Sequence, residues 1–272
     1  MNSRRETGDA LDAAAITAAL GARAGRVAVE VVASCGSTNS VLLDRAGGDA
    51  PQLLAAEYQS AGRGRHGRRW YAARGAAITF SLRRGMRRAL RELGGASLAA
   101  GVAIARALRA AGAREIALKW PNDLLGTGAH AGAKLGGILT ETRSQGAATL
   151  VVIGVGLNYR TAPQLASRLR RRIVSLEELV AALPSRNLLI GKIAAELLEV
   201  LDAFDARGLA PLREEWEALH AHAGQRIRVR LADGRVLAGL SAGIEEDGAL
   251  RLQTRGGIRA LRSARVVSAG PS

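Results

Sequence analysis

The amino-acid sequence predicts a mixed α/β fold that ends in a small β-barrel. Up to about residue 222, short apolar or β-branched runs alternate with amphipathic helices, a pattern typical of helices packed on a sheet. From Gly224 the period of apolar residues changes to two, as residues 226–231 show, and the pairs Asp233-Gly234 and Asp247-Gly248 mark tight turns. The 272 residues are therefore expected to form two domains, residues 1–222 and residues 223–272.

The helices are predicted from apolar residues that recur at three- and four-residue steps. Residues 10–21 form a short alanine-rich helix, and Ser97 caps a helix that runs to residue 111. Two further helices, at residues 188–204 and 212–220, close the large domain.

Strands are predicted between these helices, at residues 27–33, 52–57, 76–82, 115–120, 135–141 and 148–154. The last two are neighbours in sequence, which predicts an antiparallel hairpin with its turn at residues 144–146. In the small domain, Arg226, Arg228 and Arg230 alternate with apolar residues, as expected for a strand with one buried face.

The formal net charge of the chain is +15, from 39 basic and 24 acidic residues. This excess is compatible with three kinds of partner: a nucleic acid, an acidic protein or a polyanionic small substrate. Aromatic residues, which stack on bases, make up only 3% of the chain, so a general RNA-binding surface is weakly supported. Charge alone does not choose among these classes.

A single cysteine, Cys35, excludes an internal disulfide and a cysteine-based zinc cluster, as expected for a protein of the cytoplasm. The sequence places none of the four histidines beside this thiol, so Cys35 is interpreted as a packing residue. Residues 1–20 mix arginines with acidic residues and have no long apolar core, so no targeting segment is predicted. No apolar run approaches the ~20 residues of a membrane span.

The densest chemical signal is GRGRHGRRW, residues 62–70, which holds three glycines and four arginines. Glycines let backbone amides approach an anion, and arginine forks bind phosphate or carboxylate oxygens in pairs. The segment lacks the pattern of a Walker loop or of a dinucleotide-binding turn. Two interpretations stay open from the residues alone: a phosphate site, or a flexible basic loop.

A second signal, KWPND, follows a predicted strand at residues 119–123. Pro121 ends that strand, and Asn122 and Asp123 can then offer oxygens to a metal or to a ligand hydroxyl. The same three residues are also a common turn signature.

Three further segments carry weaker signals. Lys134 precedes two glycines and an apolar strand, so it is either a point charge beside a ligand or a surface lysine. In GSTN, residues 36–39, the small polar side chains either bond a neutral heterocycle or cap a helix. Asn158 is either a helix-cap or turn residue, or a residue whose side-chain amide binds a metal.

In this order and spacing, the segments GSTN, EYQSAGRGRHGRRW, KWPND, KLGGILTE and IGVGLN resemble the biotin protein ligase family. The resemblance is strong over residues 30–160 and looser over the C-terminal domain. It implies a seven-stranded mixed sheet with helices on one side, like the catalytic core of class II aminoacyl-tRNA synthetases, followed by the small barrel. It also implies an activity that uses ATP and Mg²⁺ to activate biotin, which then passes to a lysine of a biotin carboxyl carrier protein.

The resemblance assigns site residues by position. It places biotin at Ser37, Thr38, Asn39, Gln59, Arg63, Gly64, Arg65 and Lys134. It places ATP and the adenylate at Arg68, Trp70, Asn122, Asp123 and Asn158. Lys134 and Arg65 are the expected catalytic residues, and Asp123 and Asn158 the expected magnesium ligands. Joining a carboxylate to the α-phosphate of ATP brings two anions together, which explains why such a site needs several cations.

Two departures from the family pattern are visible. His66 stands where relatives often carry another arginine. Only 36 residues precede Ser37, which predicts an enzyme without the helix-turn-helix of family members that also repress transcription. We therefore expect no sequence-specific DNA binding and no membrane association, and a monomer or weak homodimer.

Two rival functions remain at this stage. A lipoate or octanoate ligase or transferase would give Cys35 or Lys134 a role in acyl transfer. A non-catalytic nucleic-acid-binding protein would explain the charge but not the ordered series of motifs.

Overall fold

The computed structural model describes residues 9–46, 48, 50–145, 148–162 and 171–270. Its larger sheet has seven strands in the order β1-β2-β3-β7-β6-β5-β4. The strands are β1 Ala28–Val32, β2 Gln52–Ala56, β3 Ala77–Met86, β4 Ile116–Lys119, β5 Asp123–Gly126, β6 Lys134–Gln145 and β7 Ala148–Asn158. Strands β1 and β2 are parallel, and the other neighbours are antiparallel, so the sheet is mixed.

The α-helices of the described residues are α1 Ala13–Ala19, α2 Thr38–Asp44, α3 Ala96–Ala110, α4 Arg186–Arg207 and α5 Ala210–Ala218. Helices α3 and α4 cover one face of the sheet, because their apolar residues share the main core with alternate strand residues such as Leu53. The neighbouring Leu54 points to the opposite face, where it packs with Leu42 of α2. Within the described residues, no helix is long and apolar enough to cross a membrane.

The C-terminal part is a separate antiparallel sheet with the strand order β11-β10-β9-β8-β12. Its strands are β8 Arg226–Arg230, β9 Val236–Ile244, β10 Leu250–Thr254, β11 Gly257–Leu261 and β12 Arg265–Gly270. In β8, Ile227 and Val229 are buried while the alternating arginines are exposed, as the period of two predicts. The predicted fold class is confirmed. The prediction that the helices lie on one side of the sheet holds for α3 and α4, whereas α2 packs on the opposite face.

Some predicted elements differ in detail. Helix α1 begins at Ala13 and not at residue 10, because Asp12 caps it by accepting a hydrogen bond from the Ala15 amide. The predicted cap role of Ser97 is wrong: α3 begins at Ala96, and the buried Ser97 hydroxyl has no hydrogen-bond partner among the described residues. The predicted hairpin of β6 and β7 is present, although Gly146 of its turn lies outside the described residues.

Strand β5 is absent from the sequence prediction. Pro121 follows the end of β4, so the sequence predicts only a turn in the next residues. The chain instead reverses within that turn and pairs again, with Leu118 opposite Leu124. The turn therefore holds Asn122 and Asp123 at the end of a two-stranded hairpin that forms one edge of the sheet.

The two sheets share one continuous hydrophobic core, which includes Trp216 of α5 and Ile227 of β8. The indole nitrogen of Trp120 donates a hydrogen bond to the Gly248 carbonyl oxygen at 3.0 Å, and this bond joins the large domain to the C-terminal sheet. Since the core runs across residue 222, the division of the chain at that residue stays a prediction.

Candidate active site

The floor of the candidate site is a glycine-lined patch on β6 and β7, on the sheet face opposite the main core. Gly137 pairs with Gly156, and Leu139 pairs with Gly154, so these positions face the same side. A methyl group added at Gly156 would lie 2.6 Å from the Trp70 ring, and one added at Gly154 would collide with the Asn39 amide. The glycines are therefore required for Trp70 and Asn39 to lie directly on the sheet.

A cleft of about 340 Å³ lies over this floor, a volume suited to a small-molecule ligand. Twelve of the predicted site residues line it: Ser37, Thr38, Asn39, Gln59, Arg63, Gly64, Arg65, Arg68, Trp70, Asn122, Asp123 and Lys134. The motifs that are far apart in the sequence thus meet in one cavity.

The first turn of α2 holds a network of neutral polar groups at one end of the cleft. The Gln59 side-chain oxygen accepts hydrogen bonds from the Thr38 amide at 2.8 Å and from the Thr38 hydroxyl at 3.2 Å. The Ser81 hydroxyl lies 2.7 Å from the Thr38 hydroxyl and donates to the Asn39 side-chain oxygen at 2.5 Å. Ser37 occupies the cap position of α2, but its side chain makes no capping hydrogen bond.

Glu141 connects this network to the arginine-rich loop. Its carboxylate accepts hydrogen bonds from the Asn39 amide at 3.0 Å and from the Arg63 guanidinium at 2.6 Å. Arg63 also donates to the Ser40 hydroxyl at 2.9 Å. Glu141 therefore fixes the base of the loop and the start of α2 relative to each other.

The loop of residues 62–70 folds back on itself as a short hairpin. The Trp70 amide donates to the Gly62 carbonyl oxygen at 2.9 Å, and the Gly64 amide donates to the Arg68 carbonyl oxygen at 2.7 Å. His66, near the tip, has a left-handed backbone with φ of 56°, a conformation that is uncommon for residues other than glycine. The loop is thus a hairpin over the cleft, and Arg65, one of its residues, is half-buried.

The other end of the cleft is cationic around one carboxylate. The Lys134 ammonium is paired with Asp123, and burial lowers the pKa of Lys134 while the Asp123 carboxylate opposes that shift. Burial also lowers the pKa of Lys119, again opposed by Asp123. Arg171, Arg172 and Arg265 complete this wall of the cleft. The site has a neutral polar end and a cationic end over one glycine floor.

Sequence reasoning did not single out several lining or supporting residues. Ser81 and Glu141 lie on strands at alternate positions, where polar side chains are usually solvated. Arg265 belongs to the C-terminal sheet and reaches the cleft only through the packing of the two sheets. Lys119 could have been identified from the sequence, because it is part of KWPND and cations are favoured beside a phosphate.

Comparisons with known proteins agree with this geometry. A model described as the biotin/lipoate A/B protein ligase family matches residues 33–158, and one described as the biotin protein ligase C-terminal domain matches residues 222–268. A biotin acetyl-CoA-carboxylase ligase from Mycobacterium tuberculosis is 39% identical over 249 residues, which cover 87% of each chain. The chain belongs to the biotin protein ligase family.

Other members of the family are similar over most of the chain. The bifunctional ligase/repressor BirA of Escherichia coli is 36% identical over 236 residues, covering 85% of this chain and 71% of the relative. A solved biotin protein ligase of Aquifex aeolicus, in complex with biotin and ATP, superposes with a TM-score of 0.73. That match covers 90% of this chain and 99% of the other at 22% identity, so it shows the shared fold.

Asn158 is placed apart from the other predicted site residues of this ligase. Its amide nitrogen donates to the Lys134 carbonyl oxygen at 3.0 Å and to the Val174 carbonyl oxygen at 3.2 Å, and the residue does not line the described cleft. Lys134 and Val174 are also joined by a backbone hydrogen bond of 3.0 Å. Asn158 therefore supports the strand end that carries Lys134, and its role as a nucleotide or metal ligand stays a prediction.

Cys35 of this ligase lies outside the lining of the described cleft, beside Gln59 in an isolated β-bridge. Burial raises the pKa of its thiol, which disfavours the nucleophilic thiolate. The position supports the interpretation of Cys35 as a packing residue.

Proposed function

We propose that this biotin protein ligase performs both halves of its reaction in the cleft over β6 and β7. Biotin is first activated with ATP to biotinyl-5′-AMP, and biotin then passes to one lysine of a biotin carboxyl carrier protein. The observation that carries this proposal is the pairing of a neutral polar end with a cationic end in one cavity. A neutral ring head-group and an anionic carboxylate–phosphate junction need those two environments.

Biotin takes the end of the cleft nearest α2. The Thr38, Asn39 and Gln59 side chains and the Ser37 hydroxyl offer both donors and acceptors, which suits a neutral urea-type ring. The biotin carboxylate then points toward Lys134 at the cationic end. Further contacts come from the arginine-rich loop over the cleft, at Arg63, Gly64 and Arg65.

ATP takes the cationic end. The indole nitrogen of Trp70 is buried and has no hydrogen-bond partner among the described residues, so it is available to a bound ligand. Trp70 packs on Gly156, and its ring supplies an apolar wall for the adenylate. Arg68 and Asn122 line the same region and contribute charge and hydrogen bonding to the nucleotide.

The donor set fits a magnesium ion that is bound together with ATP. No group of three or more metal-binding carboxylate, histidine or cysteine side chains occurs among the described residues. Mg²⁺ is typically held by one or two carboxylates together with substrate phosphates and water. Asp123, which lines the cleft, would supply the carboxylate. Asn158 lies outside the lining, so its assignment as a second ligand rests on the family resemblance alone. The ion would neutralise charge on the phosphates.

The mechanism follows from the cationic wall. A biotin carboxylate oxygen attacks the α-phosphorus of ATP, an oxygen–phosphorus bond forms, and pyrophosphate leaves. Lys134 orients the carboxylate, and Arg65, Arg68 and Lys119 offset the negative charge that gathers as the anions meet. The deprotonated amine of the acceptor lysine then attacks the carbonyl carbon of the adenylate, and AMP leaves. The loop hairpin covers the mixed anhydride and limits its hydrolysis.

The test is biotin-dependent exchange of pyrophosphate into ATP by the purified chain. We expect exchange with biotin and none with lipoate, followed by transfer of biotin to an unbiotinylated carrier domain. Exchange with lipoate but not biotin would assign the chain to lipoate chemistry. A cytoplasmic location, a monomer or weak homodimer, and the lack of sequence-specific DNA binding remain predictions from the sequence.

A further inference from the structure

One face of the C-terminal sheet carries a line of arginines, which we name the arginine stripe: Arg226, Arg228, Arg230 and Arg265. The first three lie at alternate positions of β8 and are exposed. Arg265 of β12 pairs directly with Arg230 in the antiparallel register, so both side chains project from the same face. The stripe therefore runs along β8 and crosses to β12.

The arginine stripe is not neutralised within the described part of the chain. None of its four guanidiniums forms an ion pair with a carboxylate of the described residues, although many other arginines of the protein do. Like charges directly opposite each other on neighbouring strands destabilise a sheet. The pair Arg230 and Arg265 thus costs the isolated protein stability, as expected of a surface shaped for an anionic partner.

The arginine stripe is continuous with the active-site cleft. Arg265 lines the cleft, where it lies close enough to Lys119 to affect its charge state, and it also neighbours Arg230. From Arg230 the stripe extends along β8 to Arg226, a distance of about 13 Å for four residues of strand. A molecule bound on the stripe therefore touches the mouth of the cleft.

Exposed apolar side chains of β9 and β11 lie beside the arginine stripe. Val236 pairs with Arg230 and Leu240 with Arg226, and their side chains are 39% and 40% exposed. Ile258 of β11 is 50% exposed. It lies on the same face, because Gln253 of β10 pairs with Leu240 on one side and with Ile258 on the other. Arginine is enriched at protein–protein interfaces, and apolar side chains exposed beside it are a further mark of an interaction surface. Single-stranded nucleic acid would instead require aromatic stacking platforms, and this face has none among its described residues.

We propose that the arginine stripe is the docking surface for the acceptor protein, which meets it with acidic side chains near its target lysine. This inference rests on the proposed function, because transfer requires the acceptor lysine to enter the cleft from its mouth. Docking on the stripe holds the acceptor beside the cleft, while the flanking aliphatic residues add apolar contact. Electrostatic attraction also speeds the encounter and makes it sensitive to salt.

The test is the charge-reversal double variant Arg228→Glu with Arg230→Glu, which leaves the cleft-lining Arg265 in place. The matched control is Arg255→Glu with Arg259→Glu, two exposed arginines at the β10–β11 edge of the same sheet. Biotin-dependent pyrophosphate exchange is measured without acceptor, and biotin transfer is measured against an unbiotinylated carrier domain at several salt concentrations.

The stripe variant should keep the parent's exchange rate within about twofold and raise the KM for the carrier domain by roughly tenfold or more. Its transfer rate should lose most of the parent's salt dependence, whereas the control should resemble the parent in every assay. An unchanged KM overturns the proposal, as does an equal loss of exchange and transfer. An unchanged KM with weakened binding to duplex DNA assigns the stripe to nucleic acid instead. Absence of exchange in the parent would refute the proposed function itself.

Discussion

The Lys134 ammonium at the start of β6 is paired with the Asp123 carboxylate at the start of β5. Strands β5 and β6 are antiparallel neighbours, and Asp123 lies opposite Gly137, so the glycine leaves room for this contact. The Asp123 carboxylate opposes the lowering of the Lys134 pKa by burial, and the ion pair fixes the Lys134 side chain in the cleft before any substrate arrives. Lys134 is therefore preorganised to hold a carboxylate at the reacting position.

Lys134→Ala should depress adenylate formation more than any other single truncation in the cleft. Loss of one preorganised charge at the point where two anions meet typically costs about 100- to 1,000-fold in rate. Quench-flow measurement of biotinyl-5′-AMP formation gives the rate directly. Lys192→Ala removes an exposed lysine of α4 and serves as the control. A Lys134→Ala enzyme that forms the adenylate at the parent's rate would exclude this role.

Arg65→Gly should act mainly after adenylate formation, because Arg65 lies in the loop hairpin over the cleft while Lys134, Arg68 and Lys119 still supply positive charge during that step. Replacing it removes a half-buried side chain between the loop and the site while leaving the hairpin's backbone hydrogen bonds in place. We expect adenylate synthesis to continue and the adenylate to escape several-fold faster. Trapping of released adenylate by free amines measures the escape. The hypothesis fails if the variant retains its adenylate for as long as the parent does.

Gly154→Ala and Gly156→Ala should separate the two substrates. A methyl group at residue 154 collides with the Asn39 amide, so biotin affinity should fall by roughly tenfold or more. A methyl group at residue 156 would lie 2.6 Å from the Trp70 ring, so ATP binding should weaken while biotin binding changes less. Calorimetric titration of each variant with each substrate makes the comparison. Equal effects of both variants on both substrates would contradict the assignment of the two ends.

The sequence predicts the site well where chemistry is concentrated in short motifs. Glycines, a proline turn and clustered arginines serve local backbone or charge requirements, so their roles are visible without the fold. Glu141 depends instead on strand register, which places it beside Asn39 and Arg63. Arg265 depends on how the two sheets pack. Neither relationship is encoded within a single stretch of sequence.

The fold prediction likewise succeeds for long strands and fails for a short strand next to turn residues. Strand β7 is mainly apolar and follows β6 closely in the chain, and the hairpin of the two strands is predicted correctly. Strand β5 spans only Asp123–Gly126 and begins two residues after Pro121, so turn residues obscure it. It pairs with β4 on one side and with β6, which lies after it in the chain, on the other.

Cys35→Ser should leave turnover within about twofold of the parent. The thiol lies outside the lining of the described cleft, and burial raises its pKa, so it is a poor nucleophile. AMP is the activating group in this reaction, so no acyl-enzyme is required. Steady-state transfer assays with the parent and the variant suffice. A folded but inactive Cys35→Ser protein would revive the acyltransferase interpretation.

The stability of the protein should fall in mild acid because of His220. This residue is buried against Trp216, with ring centroids 4.6 Å apart, and neither ring nitrogen has a hydrogen-bond partner among the described residues. Burial, with a smaller contribution from the neighbouring His222, lowers the pKa of His220 to about 3. Burial, with a smaller contribution from Lys119, likewise lowers the pKa of His222 to about 4.

The unfolded chain binds a proton at His220 near the ordinary pKa of 6.5, whereas the folded protein does not until about pH 3. Protons therefore favour the unfolded state between those values, and His220 alone should cost about 2 kcal/mol of stability between pH 7 and pH 5. His220→Phe keeps an aromatic ring against Trp216 and should abolish this contribution. Urea unfolding of the parent and the variant at pH 7 and at pH 5 measures the change in the free energy of unfolding. His66→Asn, which removes an exposed histidine at a left-handed position, is the control. If His220→Phe loses as much stability as the parent over this range, a buried neutral His220 is not the cause.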